Sequence, residues 1–503
     1  MHTHKLARRL MSGSTLRIIS LLASIIVAFF LTPYLIISLG DRLYGFWTLV
    51  GAFMGFYGFL DFGLSSAISR YVSRACSQKD DLEVNVVINT SLVLFSFIGF
   101  VALLITAVVM LISPLIIAEP DDITLFRILL LIFGIDVSIG FPMRALMGGL
   151  VAKLRYDILV YINLAKLVVR TSLVFYFVDL GYGLVALAVI TLGVNFLGYI
   201  IGLYSFKRNY PDVVFGRDYV AKNKVKQLFD YSKYTFIGHM SDFLRFRIDS
   251  FVIAGFLGLE MVTIYAIAQK LIDYFGSFVM GSMGLLTPVF SEYEGRGEFD
   301  KIRKLFLIST KICTTVTVFV GGCIMFYGKY FITLWVGAEY DEAYVILIIL
   351  CLASMFDLMQ NPTIGLLYGI SKHKYYAISN SCEGVLNLAA SLVLVRYYGI
   401  YGVAMGTLIG TFLFKLFVQP VYTCRFIEQP VSTYYFEMLF SISKLVPLML
   451  IYFYCATFYI EKTYFSLFSI AVIQVALFIP YCYLFVLGNR ERKVFRLGLA
   501  SSS

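Results

Sequence analysis

The chain reads as an all-α polytopic membrane protein of fourteen transmembrane helices, arranged as two pseudo-symmetric lobes of six with two further helices at the C-terminal end. Three observations predict this. Sixty per cent of the 503 residues are hydrophobic and only 14% are charged, too little polar side chain for a soluble chain of this length. Apolar runs of about 20 residues, the length an α-helix needs to cross a bilayer core, recur from one end of the sequence to the other. Finally, sets of residues recur 218 to 220 positions apart. A membrane β-barrel is excluded, because its strands alternate polar and apolar residues in short segments.

In chain order, the helices are predicted at 16–38, 44–68, 84–112, 124–150, 156–177, 183–206, 232–257, 262–290, 304–327, 342–370, 376–395, 400–423, 435–458 and 464–487. The first follows a basic stretch, HKLARRL. Its apolar run is too long for a signal-peptide core and has no small-residue cleavage pattern, so it is expected to be retained. Loop charge then sets orientation. With the N-terminus inside, loops on the cytoplasmic side hold 26 Lys and Arg, and the opposite loops hold only Arg42, Lys329, Arg396 and Lys462. That alternation places both termini in the cytoplasm and supports the count, since one missed helix would scramble it. It also accounts for the net charge of +10 without nucleic acid, which would need cations gathered on a soluble module. The longest loop, 207–231, sets lysines beside Val225, Leu228 and Phe229. It reads either as a short helix on an anionic leaflet or as a solvated linker.

The repeat organises the rest. Gly40, Trp47, Tyr57 and Gly58 match Gly258, Tyr265, Phe275 and Gly276. Pro142, Gly149, Tyr156 and Ile158 match Pro362, Gly369, Tyr376 and Ile378, and Tyr182 and Gly183 match Tyr401 and Gly402. Residues 1–206 and 232–425 are thus expected to be two copies of a six-helix lobe. An even helix count gives both copies the same topology, a parallel repeat of the kind found in two-lobed secondary transporters. Residues 426–503, holding helices 13 and 14 and a basic tail, have no counterpart.

Three stretches carry a family resemblance. LGDRLYGFWTLVGAFMGFYGFLDFGLSSAISRYVSR (39–74) resembles the opening hairpin of the polysaccharide-exporting branch of the MOP superfamily, which includes the Wzx-type O-antigen flippases. RIDSFVIAGFLGLEMVTIYAIAQKL (247–271) resembles the matching hairpin of the second lobe, and YYGIYGVAMGT (397–407) the lead into helix 12. The resemblance covers nearly the whole chain, and fourteen helices suit this branch better than the twelve of multidrug (MATE) exporters. It implies a MATE/MOP-like fold in a bacterial inner membrane. The implied passenger is an undecaprenyl-pyrophosphate-linked oligosaccharide, an O-antigen, capsule or exopolysaccharide unit, moved from the cytoplasmic to the periplasmic leaflet. It further implies alternating access around a cationic cavity, coupling to a proton or Na+ gradient, no cofactor, and a polysaccharide polymerase and chain-length machinery as protein partners.

The residues argue for an anionic passenger independently. A diphosphate crossing hydrocarbon needs cations, and Arg suits phosphate because its fork binds two oxygens. Eleven cations lie in or at the ends of the predicted helices: Arg17, Arg127, Arg144, Lys166, Arg170, Arg245, Arg247, Lys270, Lys311, Lys415 and Lys444. Against them stand seven acids, Asp61, Asp136, Asp242, Asp249, Asp273, Asp357 and Glu383. Intramembrane charges mark function by default, but each also has a plainer reading. Arg245 is either a phosphate contact or a structural ion partner of Asp242 and Asp249, which share its helix face. Arg247 points the other way and has no local acid. Lys270 and Asp273 are either ligand and coupling-ion site or a self-satisfied pair one turn apart, and Asp249 is a second coupling-ion candidate. Arg17 reaches a cavity or snorkels to the interface. Asp61 caps or pairs with Arg70 or Arg74 at the inner gate, or carries a proton. Arg144, just past Pro142, binds sugar or phosphate or pairs with Asp136. Lys166 and Arg170, at i and i+4, repel each other and so imply an anionic partner.

Other chemistries are excluded or disfavoured. The eight cysteines show no C-x-x-C spacing, the four histidines form no cluster, and no Walker A sequence appears. A membrane polymerase or ligase would need a large outer loop, and the outer loops are short. A MATE-type cation antiporter fits poorly with the basic excess, whereas a lipid II flippase fits the same physics.

Overall fold

The computed structural model describes residues 2–116, 120–229, 245, 247–283, 286–459, 461, 463–486, 488 and 492. All regular elements among them are helical. In the first part of the chain these are α1 (His2–Leu39), α2 (Asp41–Tyr57), α3 (Leu64–Gln78), α4 (Asp81–Ile116), α5 (Pro120–Ala152), α6 (Tyr156–Asp179) and α7 (Gly183–Asn209). The second part holds α8 (Ile248–Leu257), α9 (Leu259–Met283), α10 (Leu286–Gly295), α11 (Phe299–Trp335), α12 (Glu342–Leu358), α13 (Asn361–Gly369), α14 (His373–Thr411), α15 (Gln419–Phe426), α16 (Val431–Tyr459) and α17 (Tyr464–Tyr481). Among the described residues, eleven helical stretches are long and apolar enough to cross a membrane. The seventh expected span falls mostly outside the described residues, as do Asp242 and His239.

One of the eleven, His373–Phe426, has 54 residues, far more than one crossing needs. The chain reverses inside it at Gly399, whose φ of 56° and ψ of −136° are not helical. The two limbs then pack antiparallel through small residues. A Cβ on Gly402 would stand 2.2 Å from the carbonyl oxygen of Leu394, and one on Gly406 would stand 2.2 Å from Ser391 Oγ. Close backbone approach through small residues is how helices associate where lipid removes the hydrophobic drive. The expected helices 11 and 12 are these limbs.

Chain contacts divide the protein into two units, Met1–Phe243 with Leu257–Thr263, and Leu244–Phe256 with Ile264–Ser503. In the first, Leu64, Val72, Ile88, Phe95, Phe141 and Phe206 build a core between α3, α4, α5 and α7. In the second, Phe290, Phe306, Leu366, Tyr434 and Leu445 join α10, α11, α13 and α16. Left-handed backbone positions recur at nearly the spacing of the residue matches. Gly40 and Gly258, Lys79 and Gly297, Leu154 and Ser371, and Gly181 and Gly399 all have positive φ, each pair 217 or 218 residues apart.

Three expectations are revised. The second predicted helix is broken: α2 ends at Tyr57, a 3-10 turn covers Gly58–Asp61, and Phe62 and Gly63 turn left-handed before α3 begins. The tenth is interrupted before Asn361 and restarts on Pro362, a residue whose missing N–H costs nothing in a first turn. The described part of the 207–231 loop, up to residue 229, is held against its own unit. Asn85 and Asn89, one turn apart on α4, bond the backbone of Asp212, Val214 and Gly216, and Thr90 accepts from the Ala221 N–H. Residues 222–229 are helical with Leu228 buried, and Lys224 pairs with Glu83. Asparagines hold this segment because each amide offers a donor and an acceptor to an extended backbone. Helices α16 and α17 are integral to the second unit. Tyr434 accepts a 2.7 Å bond from Gln360, and Phe478 stacks on Phe319 at 3.8 Å between ring centroids.

Candidate functional site

In the first unit, two helix irregularities present charge to one place. The 3-10 turn after α2 carries Asp61, whose carboxylate is largely buried. Pro142 cannot bond the Ser138 carbonyl, and α4 approaches that freed group through Gly99, where a Cβ would stand 2.5 Å from the oxygen. Two residues beyond Pro142, Arg144 Nη1 meets Asp61 Oδ1 at 3.2 Å and its guanidinium lies 4.6 Å from the centroid of the Phe141 ring. Asp61 therefore pairs with Arg144 and also caps the start of α3, accepting from the Ser65 N–H at 3.5 Å and the Ser65 hydroxyl at 2.5 Å, while Arg144 makes no ion pair with Asp136 among the described residues. Asp136 instead accepts from Asn195 Nδ2 at 2.7 Å and from the Tyr199 hydroxyl at 3.2 Å, a polar pair at i and i+4 on α7.

These groups surround a cavity of about 310 Å3, lined by Met54, Gly55, Tyr57, Gly58, Asp136, Val137, Gly140, Met143, Arg144, Met147 and Tyr199. The Arg144 side chain is 41% exposed, so most of its donors remain free. Lys166 and Arg170, on α6, make no ion pair among the described residues. Lys166 lies near enough to Asp136 to act on it electrostatically, and its stem packs on Gly198. Arg144 and Lys166 thus act on Asp61 and Asp136, and Arg170 lies near enough to Lys166 to act on it electrostatically. The Arg17 side chain lies outside the described residues.

Three charge groups of the second unit hold its candidate residues. The first is buried and balanced. Arg245, 4% exposed, donates to Asp357 Oδ1 and Glu383 Oε1, both at 2.7 Å. Lys415, fully buried in a π-helical turn over Phe412–Val418, lies 3.2 Å from Asp357 and 3.5 Å from Glu383. Lys415 also donates to Asn380 at 2.8 Å and Gln419 at 3.0 Å. Two cations and two acids from four helical segments balance one another, so Arg245 pairs with residues more than a hundred positions away and not with Asp249; its other expected partner, Asp242, lies outside the described residues.

The second group centres on Asp249, 3% exposed. Its Oδ2 accepts from Tyr265 at 2.5 Å and Thr407 at 3.0 Å, while Oδ1 has no hydrogen-bond partner among the described residues. Asn387 and Ser391 continue the cluster, with Ser391 donating to Asn387 Oδ1 at 3.1 Å and Thr407 to the same oxygen at 3.2 Å. The set is one carboxylate among neutral oxygens, which suits a hard cation rather than a soft one. The third group is partly exposed, with Lys270 half-buried. Arg247 and Lys270 both act electrostatically on Asp273, which accepts from Gln269 at 2.9 Å. Among the described residues neither cation makes an ion pair, so the surplus here is positive. No group of three or more His, Cys, Asp and Glu able to hold a metal is found among the described residues.

Sequence reasoning placed Arg144, Lys166, Arg170, Arg247, Lys270, Asp61, Asp249 and Asp273 among its candidates but missed the neutral residues that fix them. Asn195 with Tyr199, and Gln419 one turn beyond Lys415, carried a signal in their i, i+4 spacing. Tyr265, Asn387 and Thr407 carried none, because only folding brings their helices together.

Comparison with known proteins is consistent with this geometry. The family described as polysaccharide biosynthesis protein matches residues 10–294, and the MatE family matches residues 235–393. The putative O-antigen transporter of Shigella flexneri is 23% identical over 400 residues, covering 77% of this chain and 91% of its own. The uncharacterized membrane protein MJ1068 of Methanocaldococcus jannaschii is 23% identical over 260 residues, and the chain spans half the length of that relative. Among solved structures, the lipid II flippase MurJ in an inward closed conformation superposes with a TM-score of 0.72 at 15% identity, covering 94% of this chain and 98% of its own. At that identity the likeness is one of fold.

Proposed function

The chain belongs to the polysaccharide biosynthesis protein family, and on that premise we propose that it is a flippase for a polyprenyl-diphosphate-linked oligosaccharide. It carries an O-antigen, capsule or exopolysaccharide unit from the cytoplasmic to the outer leaflet of a bacterial inner membrane. Two six-helix lobes, 1–206 and 232–425, alternate access, and both termini are cytoplasmic. A polymerase and chain-length machinery act on the product.

The observation that carries this reading is the unmatched positive charge. Arg144, Lys166 and Arg170 outnumber Asp61 and Asp136, and Arg247 and Lys270 outnumber Asp273. An uncompensated cation in a bilayer is costly, and an arriving diphosphate removes that cost while the cations lower its own barrier. A carrier of drug cations would need the opposite surplus. Arg245 contributes structure, because its donors are committed to Asp357 and Glu383.

Energy enters at Asp249. A proton or Na+ bound at its free oxygen, beside Asn387 and Thr407, neutralises the carboxylate, and its release to the other side resets the unit. The test is flipping of a fluorescent lipid-linked saccharide in proteoliposomes under imposed gradients. Wild-type protein should accelerate with a proton or Na+ gradient, and Asp249→Asn should flip slowly and equally with or without one. A wild-type rate indifferent to both gradients would contradict the coupling, and a wild type that does not flip the lipid would contradict the function.

A further inference from the structure

The cavity of the first unit offers more than a diphosphate requires. At about 310 Å3 it lies at the lower end of small-molecule sites, about 300–1,000 Å3, the size of a sugar ring or two and not of a lipid tail. Its wall includes the irregular backbone after α2, and non-helical backbone at membrane depth is tolerated where it lines a cavity or is buried in protein.

The polar groups are of both kinds. Asp136 receives only neutral donors, so its oxygens retain spare acceptor capacity. Arg144 gives one N–H to Asp61, and stacking on Phe141 holds its plane while its other donors stay free. Tyr199 both donates and accepts. Met54 and Met143 supply soft apolar walls that adjust to a ligand's shape. A phosphate would be repelled by Asp136, a drug cation by Arg144, and an alkyl chain would leave both charges without partners. Ring hydroxyls, each donor and acceptor, on a ring with apolar C–H faces satisfy all of them.

We propose that this cavity is a saccharide subsite, seating one sugar of the passenger with Asp136 accepting from a hydroxyl, Arg144 donating to ring oxygens, and Tyr199 bridging them. The proposal rests on the reading of the chain as a carrier of lipid-linked saccharides. It separates the selection of the sugar from the handling of the diphosphate, which the cations of the second unit perform.

Gly58 gives a clean test. It has ordinary helical dihedrals, φ −56° and ψ −29°, and a Cβ there meets nothing within 4 Å. Gly58 lines the cavity, so Gly58→Leu adds an apolar side chain at its wall without backbone strain. Wild type, Gly58→Leu, Tyr199→Phe and Asp136→Asn are reconstituted, checked for monodispersity, and assayed with polyprenyl-diphosphate bearing one sugar and with bare polyprenyl-diphosphate. The expected result is that preference for the sugar-bearing lipid falls about tenfold in Gly58→Leu, the loss of one or two hydrogen bonds, with smaller falls in the other two. Gly58→Leu decides the matter if a polar variant fails to fold. An unchanged preference in Gly58→Leu, with wild type flipping the sugar-bearing lipid, overturns the subsite alone. Wild type that flips neither lipid overturns the function beneath it.

Discussion

Lys415→Met separates structural from transporting charge. The substitution keeps the length of the side chain and removes one cation from the group formed by Arg245, Lys415, Asp357 and Glu383. Two acids then share one guanidinium, and a net negative charge is left in a site where Arg245, Glu383 and Lys415 are all essentially without solvent contact. Breaking a buried ion group by removing one partner costs about 3–5 kcal/mol. Adding Glu383→Gln restores neutrality. The Arg245–Asp357 bond at 2.7 Å survives, and the glutamine oxygen can still accept from Arg245 Nε. What remains lost are the bonds from Lys415 to Asn380 and Gln419, about 1–2 kcal/mol in sum. The double variant is therefore expected to be more stable than Lys415→Met alone, with a coupling of about 2 kcal/mol or more between the sites. Unfolding in mixed micelles, followed by near-UV circular dichroism, measures the order. A double variant whose loss equals the sum of the two single losses would refute the neutral-network account, and would return Arg245 and Lys415 to the pool of charges available for a passenger.

Two further outcomes follow from the packing. Gly402→Leu forces a side chain against the Leu394 carbonyl and should cost about 3 kcal/mol or more, seen as loss of monodisperse protein, whereas Gly193→Ala, in open space, should leave the yield unchanged. Asn89→Ala removes the bonds to Gly216 N and Val214 O, worth about 1–3 kcal/mol together, so limited proteolysis should begin cutting within 212–221 while the wild-type segment resists.

Much of the fold could be read from the chain, because hydrocarbon imposes a length and a polarity on every span and leaves little to tertiary choice. Residue matches at 218 to 220 found the repeat, and the left-handed positions at Gly40, Gly258, Gly181 and Gly399 follow the same spacing because reversing a helix demands them. The break at Gly58–Asp61 was hidden, since LDFGLSS is as apolar as its flanks and a left-handed Phe62 leaves no mark in hydropathy. Site residues were legible one at a time but not in their pairings. Asp61 and Arg144 are 83 positions apart, and Arg245 and Glu383 are 138 apart; nothing in local spacing joins them. Counting charges could show a surplus of cations, but only geometry separates Arg245, which is spent, from Arg144, which is half free.

The central claim is that these unmatched cations carry a diphosphate. The most direct measurement is the initial rate of flipping of a polyprenyl-diphosphate saccharide by wild type and by Arg247→Ala and Lys270→Ala, with the amount of folded protein held equal. Losing a charge-assisted contact to phosphate is worth about 1.5–3 kcal/mol, so each variant should slow at least tenfold. Rates within twofold of wild type in both would contradict it.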